Sequence, residues 1–194
     1  DTDGIESRIE EVNALGYTSE ADFDAYLETI ALTPGTAEWE NYVQDILDLI
    51  EYANGDATTT YWGAIRAANG HEQPYDLKYI GLGNENWGDV YWRNFDALYK
   101  EVKAVYPDIT VITTSGTWLG GADFDRAWEE ANSKYRDCYV DEHYYTNDSY
   151  MYEINNRYDS YDRDGAKVFV GEYAATSPCL LYTSPSPRDK RQSR

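Results

Sequence analysis

Positive charge is scarce in this chain, and that scarcity narrows its partners. Its 194 residues hold 16 Lys and Arg against 36 Asp and Glu, a net charge of −20. Phosphate contacts need Lys and Arg, so such a polyanion is a poor binder of nucleic acid. The same acidity disfavours anionic membrane surfaces, and no apolar run approaches the roughly 20 residues of a membrane span. Cysteine is limited to Cys138 and Cys179, which make neither a disulfide framework nor a metal-ligand spacing. No glycine-rich phosphate loop follows any strand-like segment, which argues against a nucleotide-binding fold. Met151 is the single methionine and the chain starts at Asp1. The natural start is therefore expected upstream or removed by processing, and the compartment, cytoplasmic or secreted, stays open. Aromatic residues are plentiful, with 20 Tyr and 6 Trp. Such side chains serve sugar sites and ordinary cores alike. The overall chemistry fits a neutral, hydroxyl-rich ligand.

Composition divides the chain in two. Residues 178–194 are rich in Ser and Pro and then turn basic: Arg188, Lys190, Arg191 and Arg194 stand against Asp189. That is +3, which leaves −23 on residues 1–177. Eleven residues from Cys179 to Asp189 resemble the in-frame translation of a transposase sequencing adapter. The tail is expected to be non-native and disordered, and residues 1–177 to be a fragment of one domain.

Within residues 1–177 the pattern alternates. A short helix is expected near 21–31. Thr36 is placed to cap a helix to about 53, with Trp39, Tyr42, Val43, Ile46, Leu47 and Ile50 on one face. A further helix is expected over 59–69. Strands are expected at 78–83, 109–114, 139–145 and 167–171, with helices at 91–105, 124–133 and 149–158 between them. Alternation of this kind argues for an α/β fold with a parallel sheet and right-handed crossovers. Four strands are half of a (β/α)8 TIM barrel.

Two carboxylates end apolar strands. Glu85 follows Tyr79-Ile80-Gly81-Leu82-Gly83-Asn84, and Glu172 follows Val168-Phe169-Val170-Gly171. Burying an unpaired carboxylate is costly, so packing alone does not account for them. Strand alternation puts Tyr79, Gly81, Gly83 and Glu85 on one face, and Tyr139, Asp141, His143 and Tyr145 on another. In the last strand it groups Val168, Val170 and Glu172. One choice of faces points Glu85, His143, Tyr145 and Glu172 into a common space, although bulges at strand ends can alter it. Two such carboxylates suit the acid/base and nucleophile of a retaining glycosidase, whose carboxyl groups stand about 5–5.5 Å apart. Plainer readings exist. Glu85 could favour a helix N-terminus through the dipole, Glu172 could be a salt-bridged strand end, and His143 a hydrogen-bonded core residue. Asp141-Glu142-His143 lacks a second histidine at ligand spacing, since His71 is remote, so no metal is expected.

The ordered motifs resemble family 51 glycoside hydrolases, the α-L-arabinofuranosidases. They are the run from Asp48 to Gly55, Trp62-Gly63, Arg66-Ala67-Ala68-Asn69-Gly70-His71, Gly83-Asn84-Glu85-Asn86-Trp87-Gly88, Asp141-Glu142-His143-Tyr144-Tyr145 and Val170-Gly171-Glu172-Tyr173-Ala174. The resemblance covers about residues 36–177. It implies that the chain holds about strands 4 to 7 of the barrel. It implies Glu85 as acid/base at the end of strand 4 and Glu172 as nucleophile at the end of strand 7. By the same resemblance Asn84 would bind the sugar's 2-hydroxyl, Tyr145 would hydrogen-bond Glu172, His143 would line the pocket and Trp87 would form an aromatic wall. It further implies an arabinose-containing oligo- or polysaccharide substrate, no cofactor and a homo-oligomeric full-length enzyme. Half of the substrate pocket would lie outside this chain.

Overall fold

The computed structural model describes residues 20–175. The expectations for the tail at 178–194, including Cys179, lie outside the described residues. The first helix, α1, covers Glu20–Ile30. The second, α2, covers Ala37–Asn54, and its start follows from Thr36, whose hydroxyl accepts the Trp39 N–H at 3.3 Å. Glu38 and Glu40 in its first turn complement the helix dipole. Thr60 caps α3, Tyr61–Ala68, in the same way through Gly63 N–H. Gly63 is required there, because a Cβ would lie 2.5 Å from the Asp56 carbonyl oxygen.

Four strands follow: β1 Tyr79–Gly81, β2 Thr110–Thr114, β3 Tyr139–Thr146 and β4 Lys167–Ala175. Helix α4, Gly88–Val105, joins β1 to β2, and α5, Ala122–Lys134, joins β2 to β3. All pairings are parallel in the order β1-β2-β3-β4. The sheet curls into half of a (β/α) barrel, the α/β class expected from the alternation.

The main core lies between the sheet and the helices. Trp39, Val43 and Ile50 of α2 meet Trp92, Phe95, Leu98 and Val102 of α4 and Val111 of β2. Ile46 and Leu47 are only partly buried, and Tyr42 is exposed at the helix margin. Fully burying a side chain such as Phe95 contributes about 1.5–3 kcal/mol. A smaller cluster joins Ala131 of α5, Val140 of β3 and Ala166.

Two expectations need correction. The helix expected over 149–158 is broken into α6, Asp148–Glu153, and a 3-10 turn, Arg157–Ser160. Between them the Asn155 amide donates to the Tyr152 carbonyl at 2.6 Å, the local side-chain competition that ends helices. The face assignment on β4 also changes. Val140 pairs with Val168 and Asp141 with Phe169, but His143 pairs with Glu172. Two steps on β3 thus match three on β4. This bulge moves Val168 to the helix side and leaves Phe169 and Glu172 with Asp141 and His143 on the barrel interior.

Candidate active site

Each strand end contributes to one cluster. After β1 the chain passes through Gly83, at φ +144°, where a Cβ would lie 2.8 Å from the Tyr91 ring. Tyr91 pins this exit. Its hydroxyl donates to the Leu82 carbonyl at 3.2 Å and lies 2.9 Å from Thr113 Oγ1 of β2. The Asn84 N–H donates to Asn86 Oδ1 at 2.8 Å, which tightens the loop. Glu85 then takes φ +56°, a left-handed conformation uncommon outside glycine. Strain of that kind gathers at functional sites. The turn sends the Glu85 carboxylate across the end of β2 to β3, where Oε1 lies 2.9 Å from His143 Nδ1.

His143 is buried and engaged at both nitrogens, with Nε2 3.0 Å from Asp141 Oδ2. Burial opposes charge on the imidazole. The hydrogen bonds with Glu85 and Asp141, with the charges of Asp141 and Glu172, outweigh it and raise the pKa above its ordinary value. Glu172 Oε2 stands 3.7 Å from His143 Nδ1 and accepts the Tyr145 hydroxyl at 2.8 Å. That contact with an anion also raises the Tyr145 pKa. One oxygen each of Glu85 and Glu172 and a ring nitrogen of His143 all lie within 4.8 Å of one another. The spacing could bridge a cation, but both nitrogens of this ring already face carboxylates, which is the arrangement of a shared proton.

The structure brings together Glu85, His143, Tyr145 and Glu172. Asn84 is exposed beside Glu85. Trp87 borders an apolar cavity of about 370 Å³ among α1, α2 and α4, together with Leu27, Trp39 and Tyr42. Two participants were absent from the set of site residues expected from sequence. Asp141 holds the far nitrogen of His143 and accepts the Gly171 N–H at 2.7 Å. Gly171 leaves room for this, since a Cβ there would lie 2.6 Å from the Asp141 carboxylate. The inward phase of Asp141 was visible in the alternation; the bulge that brings Gly171 to it was not.

Glu142 points to the opposite side of β3. It is buried and accepts Trp128 Nε1–H at 2.9 Å, the Tyr161 hydroxyl at 2.6 Å and the Tyr144 hydroxyl. Arg157 stands 3.7 Å from it and packs over the Phe124 ring. This paired carboxylate braces β3 against α5 and the 3-10 turn. Strand alternation therefore separates Glu142 from Asp141 and His143.

Comparisons with known proteins identify the family of the chain. Residues 14–163 match the model of the alpha-L-arabinofuranosidase 1 domain. The chain is 46% identical over 140 residues to an extracellular exo-alpha-L-arabinofuranosidase of Streptomyces chartreusis, covering 70% of this chain and 16% of that protein. It is 37% identical over 142 residues to alpha-L-arabinofuranosidase 1 of Arabidopsis thaliana, covering 73% and 19% respectively. Among solved structures, an arabinose-bound GH51 α-L-arabinofuranosidase superposes with a TM-score of 0.56 at 25% identity, over 78% of this chain and 23% of that one. The chain thus spans less than a fifth of the length of these two curated relatives. With the parallel half barrel and the ordered motifs, the match over most of the chain shows that it belongs to the alpha-L-arabinofuranosidase 1 domain family, within the family 51 glycoside hydrolases.

Proposed function

We propose that this chain carries the catalytic carboxylates of a retaining, exo-acting α-L-arabinofuranosidase that releases terminal arabinofuranosyl groups from arabinose-containing oligo- and polysaccharides. Glu85 is the acid/base and Glu172 the nucleophile. The observation that carries this reading is the approach of their oxygens to within 4.8 Å, with His143 between them. That distance suits direct attack on the sugar. An inverting pair stands about 6.5–9.5 Å apart to admit a water.

In the first step Glu85 gives its proton to the glycosidic oxygen while Glu172 attacks the anomeric carbon. The carbon–oxygen bond to the leaving group breaks and a glycosyl ester forms on Glu172. In the second step Glu85 takes a proton from water, which displaces Glu172 and restores the original configuration. Tyr145 donates to Glu172 Oε2 and holds that carboxylate in place for attack. Asn84, exposed beside Glu85, is the candidate partner of the sugar's 2-hydroxyl, and Trp87 of an aromatic wall.

The test is hydrolysis of an aryl α-L-arabinofuranoside by the full-length protein carrying this sequence. Glu172→Ala is expected to abolish turnover, and added azide to restore it with a product of inverted configuration. A folded parent that cleaves only aryl glycosides of six-membered sugars moves the specificity to another barrel glycosidase. Sugar binding without hydrolysis, unaffected by loss of both carboxylates, makes the domain a binding module.

A further inference from the structure

We infer that Asp141 is a positioning residue for both site carboxylates: one oxygen holds the imidazole that faces Glu85, and the other holds the bulge from which Glu172 projects. The inference rests on the reading of Glu85 and Glu172 as acid/base and nucleophile.

Asp141 sits where three strands meet. Just after β2, Ser115 donates to the Asp141 backbone carbonyl twice, by its N–H at 3.0 Å and by its hydroxyl at 2.8 Å. From β3 itself, His143 Nε2 lies 3.0 Å from Oδ2. From β4, the Gly171 N–H donates to Oδ1 at 2.7 Å. The Asp141 side chain is only 16% exposed, its contact with His143 is partly buried, and its contact with Gly171 lies on the exposed side. Gly171 is the residue before Glu172, inside the register shift between the pairs Asp141–Phe169 and His143–Glu172. The extra β4 residue thus has its N–H anchored by Asp141, and the anchored bulge aims Glu172 at the barrel interior.

The geometry calls for a carboxylate rather than any polar group. Both Asp141 oxygens face N–H donors, and an ionised carboxyl group is acceptor-only on both sides. An asparagine of the same shape has one acceptor oxygen. It must point its amide NH2 either at Gly171 N–H or at His143 Nε2–H. An anion at Nε2 also keeps the proton on that nitrogen, which leaves Nδ1 to share a proton with Glu85 Oε1 across 2.9 Å. The titratable groups around this pair are Asp141 and Tyr145 from β3 and Glu172 from β4; the end of β2 and the residue after it contribute the uncharged Thr114 and Ser115. Among the described residues, His143 is the one basic side chain within 4 Å of all three carboxylates, and it pairs with them as an ion when protonated. Removing the Asp141 charge therefore releases the shared proton at lower pH.

The test compares the parent, Asp141→Asn, Gly171→Ala and Glu172→Ala in the full-length protein carrying this sequence. Rates on an aryl α-L-arabinofuranoside are measured from pH 4 to 9, and the His143 imidazole is followed by 15N NMR. Asp141→Asn is expected to lower kcat about 100-fold through misplacement. It is also expected to move the alkaline limb of kcat/KM about one unit to lower pH, together with the His143 titration. Gly171→Ala keeps the charge but disturbs the bulge, so kcat is expected to fall while the alkaline limb stays. A folded Asp141→Asn with the parent's kcat and pH profile overturns the inference. If that variant does not fold, parent-like kcat in Gly171→Ala overturns it. If the parent does not turn over, or Glu172→Ala keeps full rate, the functional reading fails instead. The His143 titration then decides positioning alone: an unchanged midpoint in Asp141→Asn overturns it, and a lowered one supports it.

Discussion

Tyr145 illustrates what a single hydroxyl contributes at this site. Its hydroxyl donates to Glu172 Oε2 at 2.8 Å and so fixes the orientation of that carboxylate. On the proposed mechanism, Tyr145→Phe is expected to reduce kcat about 10- to 100-fold, with a smaller change in KM, in steady-state kinetics. His143 carries a stability signature as well. Its folded pKa is raised above the ordinary 6.5. Its stabilisation is therefore complete below about pH 6.5 and lost as pH rises through the folded value. The gap in thermal midpoint between parent and His143→Gln is expected to be widest in mild acid and to narrow as pH rises. An equal gap at all pH values would remove this account. Cys138 is buried in the main core, and burial pushes its thiol up to about 12. Thiolate is the reactive form, so native Cys138 is expected to resist iodoacetamide at pH 8 and to react once the chain is unfolded.

Among the elements, the corner between α2 and α3 depends on Arg66. This guanidinium is fully buried and faces backbone carbonyls rather than a carboxylate. It donates to Tyr52 at 2.7 Å, Gly55 at 2.8 Å, Glu72 at 3.0 Å and His71 at 3.2 Å. Those carbonyls end α2, open the following loop and close the turn after α3. Arg66→Ala leaves these partly buried carbonyls without that donor and empties the fully buried site of its side chain, and a loss of about 3 kcal/mol is expected in urea unfolding. Arg66 belongs to a motif noted in the sequence, yet spacing alone could not say that it braces a helix corner. The break between α6 and the 3-10 turn was hidden for a related reason. Apolar periodicity runs on through 149–158, while the Asn155 side chain bonds to the Tyr152 carbonyl where the helix stops.

On the scale of the whole molecule, the sheet has two outer strands among the described residues, β1 and β4. Its inner face exposes Tyr79, Phe169 and Tyr145. Unpaired edges beside exposed aromatics are templates for association. The 194-residue chain by itself is therefore expected to self-associate as concentration rises, read by sedimentation velocity; a monomer at all concentrations would mean that these edges are covered. No helix among the described residues is long and apolar enough to cross a membrane.

Much was legible before any coordinates. Apolar periodicity is a local property, so the helix faces around Trp39, Ile50, Phe95 and Val102 and the four strands could be read from spacing. Caps are local too, which is why Thr36 announced the start of α2. Glu85 and Glu172 stood out because acidic residues at the ends of apolar strands need a reason. Distance across the sheet was not legible. The left-handed turn at Glu85, the bulge at Gly171 and the two-sided grip of Asp141 arise only when β1, β2, β3 and β4 lie side by side. A one-residue register shift reverses which face each β4 side chain takes. Residue types and periods reside in the chain itself, whereas the meeting of two carboxylates through one imidazole depends on the parallel register that tertiary packing imposes.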